Sequence, residues 1–388
     1  MMLQPELNFR RDKIRNLMVS QGIDAALITC SANLIYTYGC VVSGYLYLSL
    51  HYPALLFFKR PNNIMGEHSF LIRKPEQIVD ILKDQGLPLP AKLMLEGDEL
   101  SHTEYCRLAS LFPEAEIVNG TPLIRQARSV KTAIEIEMFR RSGNAHAKAY
   151  EQIPRIYRSG MTDIEFSIEI ERLMRLQGSL GIFRVFGRSM EIFMGSVLTG
   201  DNACYPSPYD SALGGQGLDP ALPGGANKTL LKEGQSVMVD LGGNFNGYMC
   251  DMSRVFSIGK LSEEAYSAHQ TCLDIQERIT SIAKPGVICE TLYDIALEMA
   301  TKAGFADKFM GMGQQAKFVG HGIGLELNEA PVFAPRMKQE LEAGMAFALE
   351  PKIVIPGVGP VGIENSWVVT NNGVEKLTDC NEEIIELS

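Results

Sequence analysis

The sequence has no long basic stretch and no compact set of cysteines, and each absence excludes a class of protein. With a formal net charge of −10, the chain would repel a phosphate backbone, so we expect no nucleic-acid partner. The eight cysteines are scattered without a CxxC pair, which is typical of reduced thiols in the cytoplasm. The first residues lack the basic start and apolar run of a signal peptide, so we expect a cytoplasmic protein.

Charged residues are also absent from residues 25–58, a segment that could be mistaken for a membrane span. However, Asn33, Gly39 and Pro53 interrupt it, and its apolar residues come in short runs. This pattern favours several buried strands over a membrane-spanning helix.

With 388 residues, of which 46% are hydrophobic, the chain is long enough for two domains. Residues 1–128 combine a helical pattern at 10–21 with several short apolar runs, which predicts a small mixed α/β domain. A long charged helix over 132–150 would then lead into a second domain, residues 129–388.

Two features of the second domain can be placed from the sequence. Thr162 and Glu165 have the spacing of a capping box, which predicts that a helix starts there. Between Thr199 and Asn227 the chain is rich in Gly, Pro, Ser and Ala and shows little periodicity. A loop of this length inside a compact domain is usually functional or mobile.

Four acidic residues and one histidine are the candidate metal ligands: Asp240, Asp251, His321, Glu350 and Glu364. Taken alone, an acid near a strand turn is usually solvated, and a histidine between glycines is usually a turn residue. As a set they carry a formal charge near −4, which two divalent cations would neutralise, whereas four crowded carboxylates without metal would repel one another and protonate. The sequence therefore favours a two-metal hydrolytic centre.

A predicted hairpin brings the first two acids together. The Asn-Gly pair at 246–247 is a strong signal for a two-residue turn, and such a turn fixes the register of the strands on either side. In that register Asp240 faces Ser253, and Asp240 and Asp251 share one face as diagonal neighbours, roughly 7 Å apart at the backbone. Two carboxylates placed in this way can bind one metal and bridge to another.

A second predicted hairpin has its turn centred on Val358. Glu350 and Glu364 are both an even number of residues from that centre, so they have the same parity and lie on the same strand face. Their side chains can therefore point into one cavity. His321 lies in a Gly-His-Gly-Ile-Gly segment, where the glycines allow the backbone to approach a ligand closely. A neutral imidazole among oxygen ligands suits Mn, Co or Fe better than a structural zinc.

At these residues the chain resembles the pita-bread metallopeptidases, specifically the prolidase and aminopeptidase P group. The matching motifs are Val239-Asp-Leu-Gly-Gly, Asn246-Gly-Tyr-Met-Cys-Asp, Gly320-His-Gly-Ile-Gly, Leu349-Glu-Pro and Gly362-Ile-Glu-Asn. Nearer the start, Gly22-Ile-Asp-Ala and Asn33-Leu-Ile-Tyr resemble the N-terminal domain of prolidases. The resemblance implies an α/β (α+β) protein in which a creatinase/prolidase N-terminal-like domain precedes a pita-bread catalytic domain.

The resemblance also implies a role for each candidate ligand. Asp240 would chelate one metal, His321 and Glu350 would hold the other, and Asp251 and Glu364 would bridge the pair. A water or hydroxide between two ions, with Mn favoured and Co, Fe or Zn as alternatives, would be the nucleophile, and Glu350 would shuttle its proton. The substrates would be peptides cleaved at an Xaa-Pro bond, and the protein would be a homodimer without a membrane partner.

One departure from the family lies in the loop before the first ligand. The family's peptidases normally carry a non-ligand histidine there, but this chain has no histidine over residues 147–268. Ser207 stands in the expected place, although Pro223-Gly224 is an alternative alignment. We therefore regard Ser207 as a candidate substrate contact.

A second departure lies seven residues after His321, where the usual histidine is replaced by Asn328. An asparagine can donate a hydrogen bond to an oxyanion, but it does not titrate near neutral pH. Asn328 is therefore a further candidate substrate contact. Tyr248 is a separate candidate for lining the substrate pocket. The metals would remain, while the substrate pocket would have changed.

Three functions stay open at this point. The first is a two-metal Xaa-Pro dipeptidase or aminopeptidase, which the complete ligand set supports. The second is a hydrolase or lyase of the same scaffold that acts on a small metabolite, which the histidine-free loop suggests. The third is a non-catalytic binding module, which would have little reason to keep all five ligands.

Overall fold

The structure is a computed structural model, and it describes residues 4–64, 66–187 and 193–388. The chain divides into two compact units, Met1–Arg128 and Ser129–Ser388. Each unit has a hydrophobic core of its own. Among the described residues, no helix combines the length and the apolar composition that crossing a membrane requires.

The first unit is a mixed α/β structure. Its helices are α1 (Gln4–Ser20), α2 (Ser31–Tyr38), α3 (Gln77–Asp84), α4 (His102–Ala109) and α5 (Thr121–Ser129). Its strands are β1 (Ala25–Ile28), β2 (Ser43–Ser49), β3 (Leu55–Arg60), β4 (Ser69–Leu71), β5 (Lys92–Leu95) and β6 (Glu116–Asn119). They form one sheet in the order β4-β3-β2-β1-β5-β6, in which β1 pairs antiparallel with β2 and parallel with β5.

The uncharged segment 25–58 is only partly the set of strands that the sequence predicts. It contains β1, β2 and the start of β3, but α2 lies between β1 and β2. This helix ends at Gly39, which adopts the left-handed conformation with φ 94° that glycine tolerates best. Because α2 is short and largely buried, it lacks the polar face that reveals a surface helix in a sequence.

The second unit is built from longer elements. Its helices are α6 (Ala133–Tyr150), α7 (Asp163–Leu176), α8 (Glu263–Ile282) and α9 (Cys289–Lys302). Its first strands are β7 (Gly195–Thr199), β8 (Gln235–Asn244), β9 (Met249–Ile258), β10 (Gly320–Gly322), β11 (Glu329–Phe333) and β12 (Ala346–Leu349). The remaining strands are β13 (Lys352–Ile355), β14 (Gly359–Gly362), β15 (Asn365–Val369), β16 (Val374–Lys376) and β17 (Ile385–Leu387).

These strands form three sheets. One sheet has the order β17-β9-β8-β7, another has the order β11-β10-β12-β15-β16, and β13 pairs with β14. Helix α7 begins with the capping box predicted from the sequence, since Thr162 Oγ1 accepts from the Glu165 amide and the Glu165 carboxylate accepts from the Thr162 amide. That prediction is confirmed.

Strands β8 and β9 lie between two cores. Met238 and Val255 belong to the core that contains α8 and α9. Val237 and Val239 belong to the core that contains residues of α6 and α7. Because side chains alternate along a strand, every second residue of β8 and β9 faces the α8 side, and this alternation decides which polar side chains enter the interior there.

Helix α6 carries a buried histidine, His146, whose side chain is 0% exposed. Its Nδ1 lies 3.4 Å from the Sγ of Cys250 on β9, and its ring meets the edge of Tyr150 at 4.8 Å between centroids. Burial, assisted by the charge of Arg254, lowers the pKa of His146 to about 3. The imidazole is therefore neutral in the folded protein throughout the physiological range.

We expect His146 to make the protein less stable in acid. In the unfolded chain the imidazole protonates below its ordinary pKa near 6.5, whereas the buried ring stays neutral down to about 3. Acid therefore favours the unfolded state, and between these two values stability falls by about 1.4 kcal/mol per pH unit from this group. In the variant His146→Phe the slope of unfolding free energy against pH between 6 and 4.5 should decrease by that amount.

The measurement is urea unfolding followed by tryptophan fluorescence, because the one tryptophan of the chain, Trp367, lies on β15 in the same unit. The variant His102→Phe changes an exposed histidine and should leave the slope as it is in the unsubstituted protein. Equal slopes for His146→Phe and the unsubstituted protein would contradict the prediction.

Candidate metal centre

The β8–β9 hairpin places Asp240 and Asp251. Its register pairs Asp240 with Ser253 and Gly242 with Asp251, as the Asn-Gly turn predicts. Both aspartates lie on the strand face of Met238 and Val255. They therefore place carboxylates on the same side of β8 and β9 as the apolar core that contains α8. The Asp251 side chain is 10% exposed and that of Asp240 is 21% exposed.

Glu350 and Glu364 lie where a long hairpin is interrupted. Strands β12 and β15 pair in the same register as β13 and β14, so the predicted parity is confirmed, but the ladder breaks beside both glutamates. At the break the Glu350 amide donates to the carbonyl of Val319, and the Glu364 amide donates to that of Ser253 on β9. The interruption connects this hairpin to the neighbouring strands, and the Glu364 carboxylate accepts a hydrogen bond from the Ser253 hydroxyl in the middle of β9.

His321 is on β10, between β11 and β12. A side chain at Gly322 would come within 2.2 Å of the Ala330 backbone, so only glycine allows this close strand approach. The His321 Nδ1 lies 3.1 Å from the Gly322 carbonyl, which can only accept a hydrogen bond and therefore places the proton on Nδ1. The Nε2 atom points to Glu350 Oε1 at 3.3 Å and Asp251 Oδ2 at 4.0 Å.

A sixth residue, Lys352, enters the same cluster, and our sequence reasoning missed it. Its Nζ lies 2.8 Å from Asp240 Oδ2, 2.7 Å from Glu350 Oε2 and 3.2 Å from Glu364 Oε2. The lysine side chain is 0% exposed. Its position two residues after Glu350 on an extended segment was the available signal, because such neighbours share a face.

The protein's own charges are distributed unevenly over this cluster. Burial opposes the ionisation of Glu350, yet the charge of Lys352 and the hydrogen bond to His321 lower its pKa to about 2. Burial likewise opposes protonation of His321, but Glu350 and Asp251 raise its pKa to about 9. Burial and the charge of Asp240 raise the pKa of Asp251 to about 7.

Glu364 behaves like Asp251, since burial and the Asp251 charge raise its pKa well above the ordinary value. Negative charge is therefore poorly compensated on the Asp251–Glu364 side of the cluster. A divalent cation bound there would supply the missing positive charge.

The donor set on that side fits one such ion. Asp251, His321 and Glu364 each offer a ligand atom, and these atoms lie within 4.8 Å of one another. Two carboxylates and an imidazole whose other nitrogen is fixed by a carbonyl form an ordinary site for a first-row divalent metal. A second ion between Asp240, Glu350 and Glu364 does not fit in the same way, because the Lys352 ammonium lies there.

The three predicted substrate contacts occupy different surroundings. Ser207 Oγ donates to the Pro223 carbonyl at 2.8 Å, and the Tyr248 hydroxyl donates to Glu135 Oε1 at 2.8 Å. The Asn328 side chain makes paired hydrogen bonds with the backbone of Phe186. Tyr248 is 1% exposed, and the role of all three toward a substrate stays a prediction.

The fold and this cluster define the class of a metal-dependent hydrolase, which a smaller α/β unit precedes in the sequence. The model of metallopeptidase family M24 matches residues 137–371, well over half of the chain, and that of the creatinase/prolidase N-terminal domain matches residues 10–130. The chain belongs to metallopeptidase family M24. It therefore has the pita-bread catalytic fold, and family membership implies divalent metal ions.

Individual relatives agree with this assignment. An Xaa-Pro dipeptidase of Pyrococcus furiosus is 26% identical over 97% of this chain and 99% of its own length. The solved structure of an Xaa-Pro dipeptidase from Bacillus anthracis is 26% identical, covers 98% of this chain and 100% of its own, and superposes with a TM-score of 0.81. An X-Pro aminopeptidase from Thermotoga maritima, at 24% identity over 96% of this chain and 99% of its own, shares the fold with a TM-score of 0.79.

Proposed function

We propose that the protein is a metal-dependent peptidase that cleaves Xaa-Pro bonds. The observation that carries the proposal is the convergence of Asp251, His321 and Glu364 on one buried point, within a chain that is similar to Xaa-Pro dipeptidases along nearly its whole length. A divalent ion bound there would lower the pKa of a bound water and polarise the scissile carbonyl. Asp251, His321 and Glu364 would hold that ion, while the two-ion roles that the family resemblance implies for all five residues stay predictions.

Glu350 is the residue that we propose to move the proton. Its lowered pKa keeps the carboxylate ionised at neutral pH, so the form present is the one without a proton. Its Oε1 faces His321, while Oε2 is held by Lys352. The carboxylate is thus fixed in orientation, as a general base must be.

The nature of the metal follows from the donor atoms. Carboxylate oxygens outnumber the single imidazole, which favours Mn, with Co, Fe or Zn as alternatives. The sequence hypothesis of two ions requires Lys352 to leave its three carboxylates, whereas binding of one ion does not.

Several further properties belong to the same proposal. Residues 1–128 would be the creatinase/prolidase N-terminal-like domain and residues 129–388 the catalytic domain. A cytoplasmic location is proposed from the scattered cysteines, which contain no CxxC pair. A homodimer is expected from the family resemblance, and light scattering coupled to gel filtration measures it directly.

The test of the function is hydrolysis of matched peptides by the Mn-loaded protein. We expect Ala-Pro, or a longer peptide that begins Ala-Pro, to be cleaved at least about tenfold faster than Ala-Ala, in line with a pocket that selects one side chain. A preparation of Asp251→Asn made in parallel reports contaminating peptidases. If no Xaa-Pro peptide is cleaved with Mn, Co or Zn at saturation, the proposal is wrong.

A further inference from the structure

Lys352 holds the position of a cation. Its ammonium has three donors, and the three carboxylates within 3.2 Å, of Asp240, Glu350 and Glu364, come from different segments of the unit. The lysine is fully buried. A fully buried ammonium with three carboxylate partners is an integral part of the site, because a mobile surface lysine would be solvated instead.

The strand opposite Lys352 is adapted to it. Lys352 pairs with Gly362 across the β13–β14 ladder. A Cβ atom at Gly362 would lie 2.4 Å from the Pro351 carbonyl, 2.8 Å from the Lys352 Cα and 3.2 Å from its Cγ. The position also has φ 147°, which L side chains rarely adopt. The absence of a side chain there leaves room for the lysine stem.

The oxygen atoms divide into two sides. Glu350 uses Oε2 for Lys352 and Oε1 for His321. Glu364 Oε2 accepts from both Lys352 and the Ser253 hydroxyl, which leaves its other oxygen for a ligand on the Asp251 side. Each glutamate therefore connects the ammonium with a place where one metal ion fits.

A metal ion and the ammonium cannot both occupy the Lys352 side of the cluster, which is formed by Asp240, Glu350 and Glu364. Metal–oxygen distances are about 2.0–2.2 Å, so an ion held by the oxygens that Lys352 binds would be in contact with the ammonium. Like charges at that separation in a buried site repel strongly. With the four carboxylates at −4, one ammonium and one divalent ion leave a net charge of −1, close to the neutrality that two ions would give.

We propose that the Lys352 ammonium takes the place of one cation, so that the centre binds a single divalent ion at Asp251, His321 and Glu364. This inference rests on the proposed metal-dependent function and specifies its cofactor. Lys352 positions Asp240, Glu350 and Glu364. The single ion binds on the other side of the cluster, at Asp251, His321 and Glu364. The centre is thus mononuclear, and the Lys352 ammonium supplies the second positive group.

The test counts metal ions in the full-length protein. After saturation with Mn²⁺ and removal of loosely bound metal, elemental analysis should give one ion per chain for the unsubstituted protein and two for Lys352→Ala. The matched control is Lys131→Ala, which removes an equally buried ammonium that pairs with Glu329 at 2.7 Å. It should still bind one ion.

A second measurement does not depend on whether Lys352→Ala folds. Two Mn²⁺ ions at the roughly 3.5–4 Å separation of dinuclear sites give an exchange-coupled electron paramagnetic resonance spectrum, and one ion gives an uncoupled one. We expect the uncoupled spectrum for the unsubstituted protein. Two coupled ions there, or a single ion in folded Lys352→Ala, would overturn the inference and leave the proposed peptidase intact. A protein that binds no ion would overturn both.

Discussion

The variant Asp251→Asn is expected to lose metal binding and Xaa-Pro hydrolysis together. Asp251 lies 4.0 Å from His321 Nε2 and belongs to the group of three that fits an ion. Loss of residues that only support metal ligands costs roughly 10–100-fold in affinity or activity. Loss of a ligand should therefore weaken Mn²⁺ affinity by more than about 100-fold, with the turnover of Ala-Pro falling at least as much.

The fold should survive this change. Asparagine has nearly the same shape, and the Asp251 backbone keeps its two hydrogen bonds with Ser366 Oγ. Removing a negative charge from a buried and crowded carboxylate group also relieves repulsion. We therefore expect a melting temperature in the absence of metal that is equal to or higher than that of the unsubstituted protein.

Isothermal titration with Mn²⁺ measures the affinity, and Asp274→Asn is the matched control. Asp274 is an exposed residue of α8 whose carboxylate pairs with Gln270, so this variant makes the same chemical change away from the cluster. It should bind Mn²⁺ as the unsubstituted protein does. Unaltered Mn²⁺ affinity in Asp251→Asn would remove Asp251 from the ligand set.

The positions of the acids could be predicted from the sequence because short-range chemistry fixes them. A two-residue Asn-Gly turn sets the register of both flanking strands, and the pairing of Asp240 with Ser253 follows from counting. The shared parity of Glu350 and Glu364 follows in the same way from the turn near Val358. Counting does not reveal the break in the ladder between them, because that break depends on hydrogen bonds to other strands.

Lys352 shows why the rest of the site was not predictable. A lysine on a strand is usually solvated, and here it is buried only because Asp240, which is 112 residues earlier in the chain, comes within hydrogen-bond distance. The sequence contains the residue and its parity, but no local signal says that the fold closes around it. Helix α2 was missed for a related reason, since its burial removes the periodic polar face by which a helix is recognised.

The second large effect is expected at Arg254, a β9 residue that is 1% exposed. Its guanidinium donates to the carbonyl oxygens of Ser253, Glu364, Cys380 and Asn381 and to Asn365 Oδ1. A hydrogen bond from a charged group contributes about 1.5–3 kcal/mol, and a buried acceptor left without a partner costs about 1–3 kcal/mol. We expect Arg254→Met to destabilise the second unit by about 3–5 kcal/mol, which is among the largest effects of single substitutions.

Arg254→Lys should be nearly as harmful, and this comparison separates geometry from charge. A lysine keeps the positive charge, but its single nitrogen cannot reach acceptors on separate segments as the planar guanidinium does.

Urea unfolding followed by Trp367 fluorescence measures the effect in the unit that contains Arg254, and Arg141→Met is the control. Arg141 is 73% exposed and pairs with Glu137 at 3.3 Å, so its loss should cost less than about 1 kcal/mol. Full stability of Arg254→Lys would show that the charge alone matters. Because Arg254 holds the Glu364 carbonyl, a loss of stability in either variant should be accompanied by weaker Mn²⁺ binding, since the backbone that carries one predicted ligand is no longer fixed to β9.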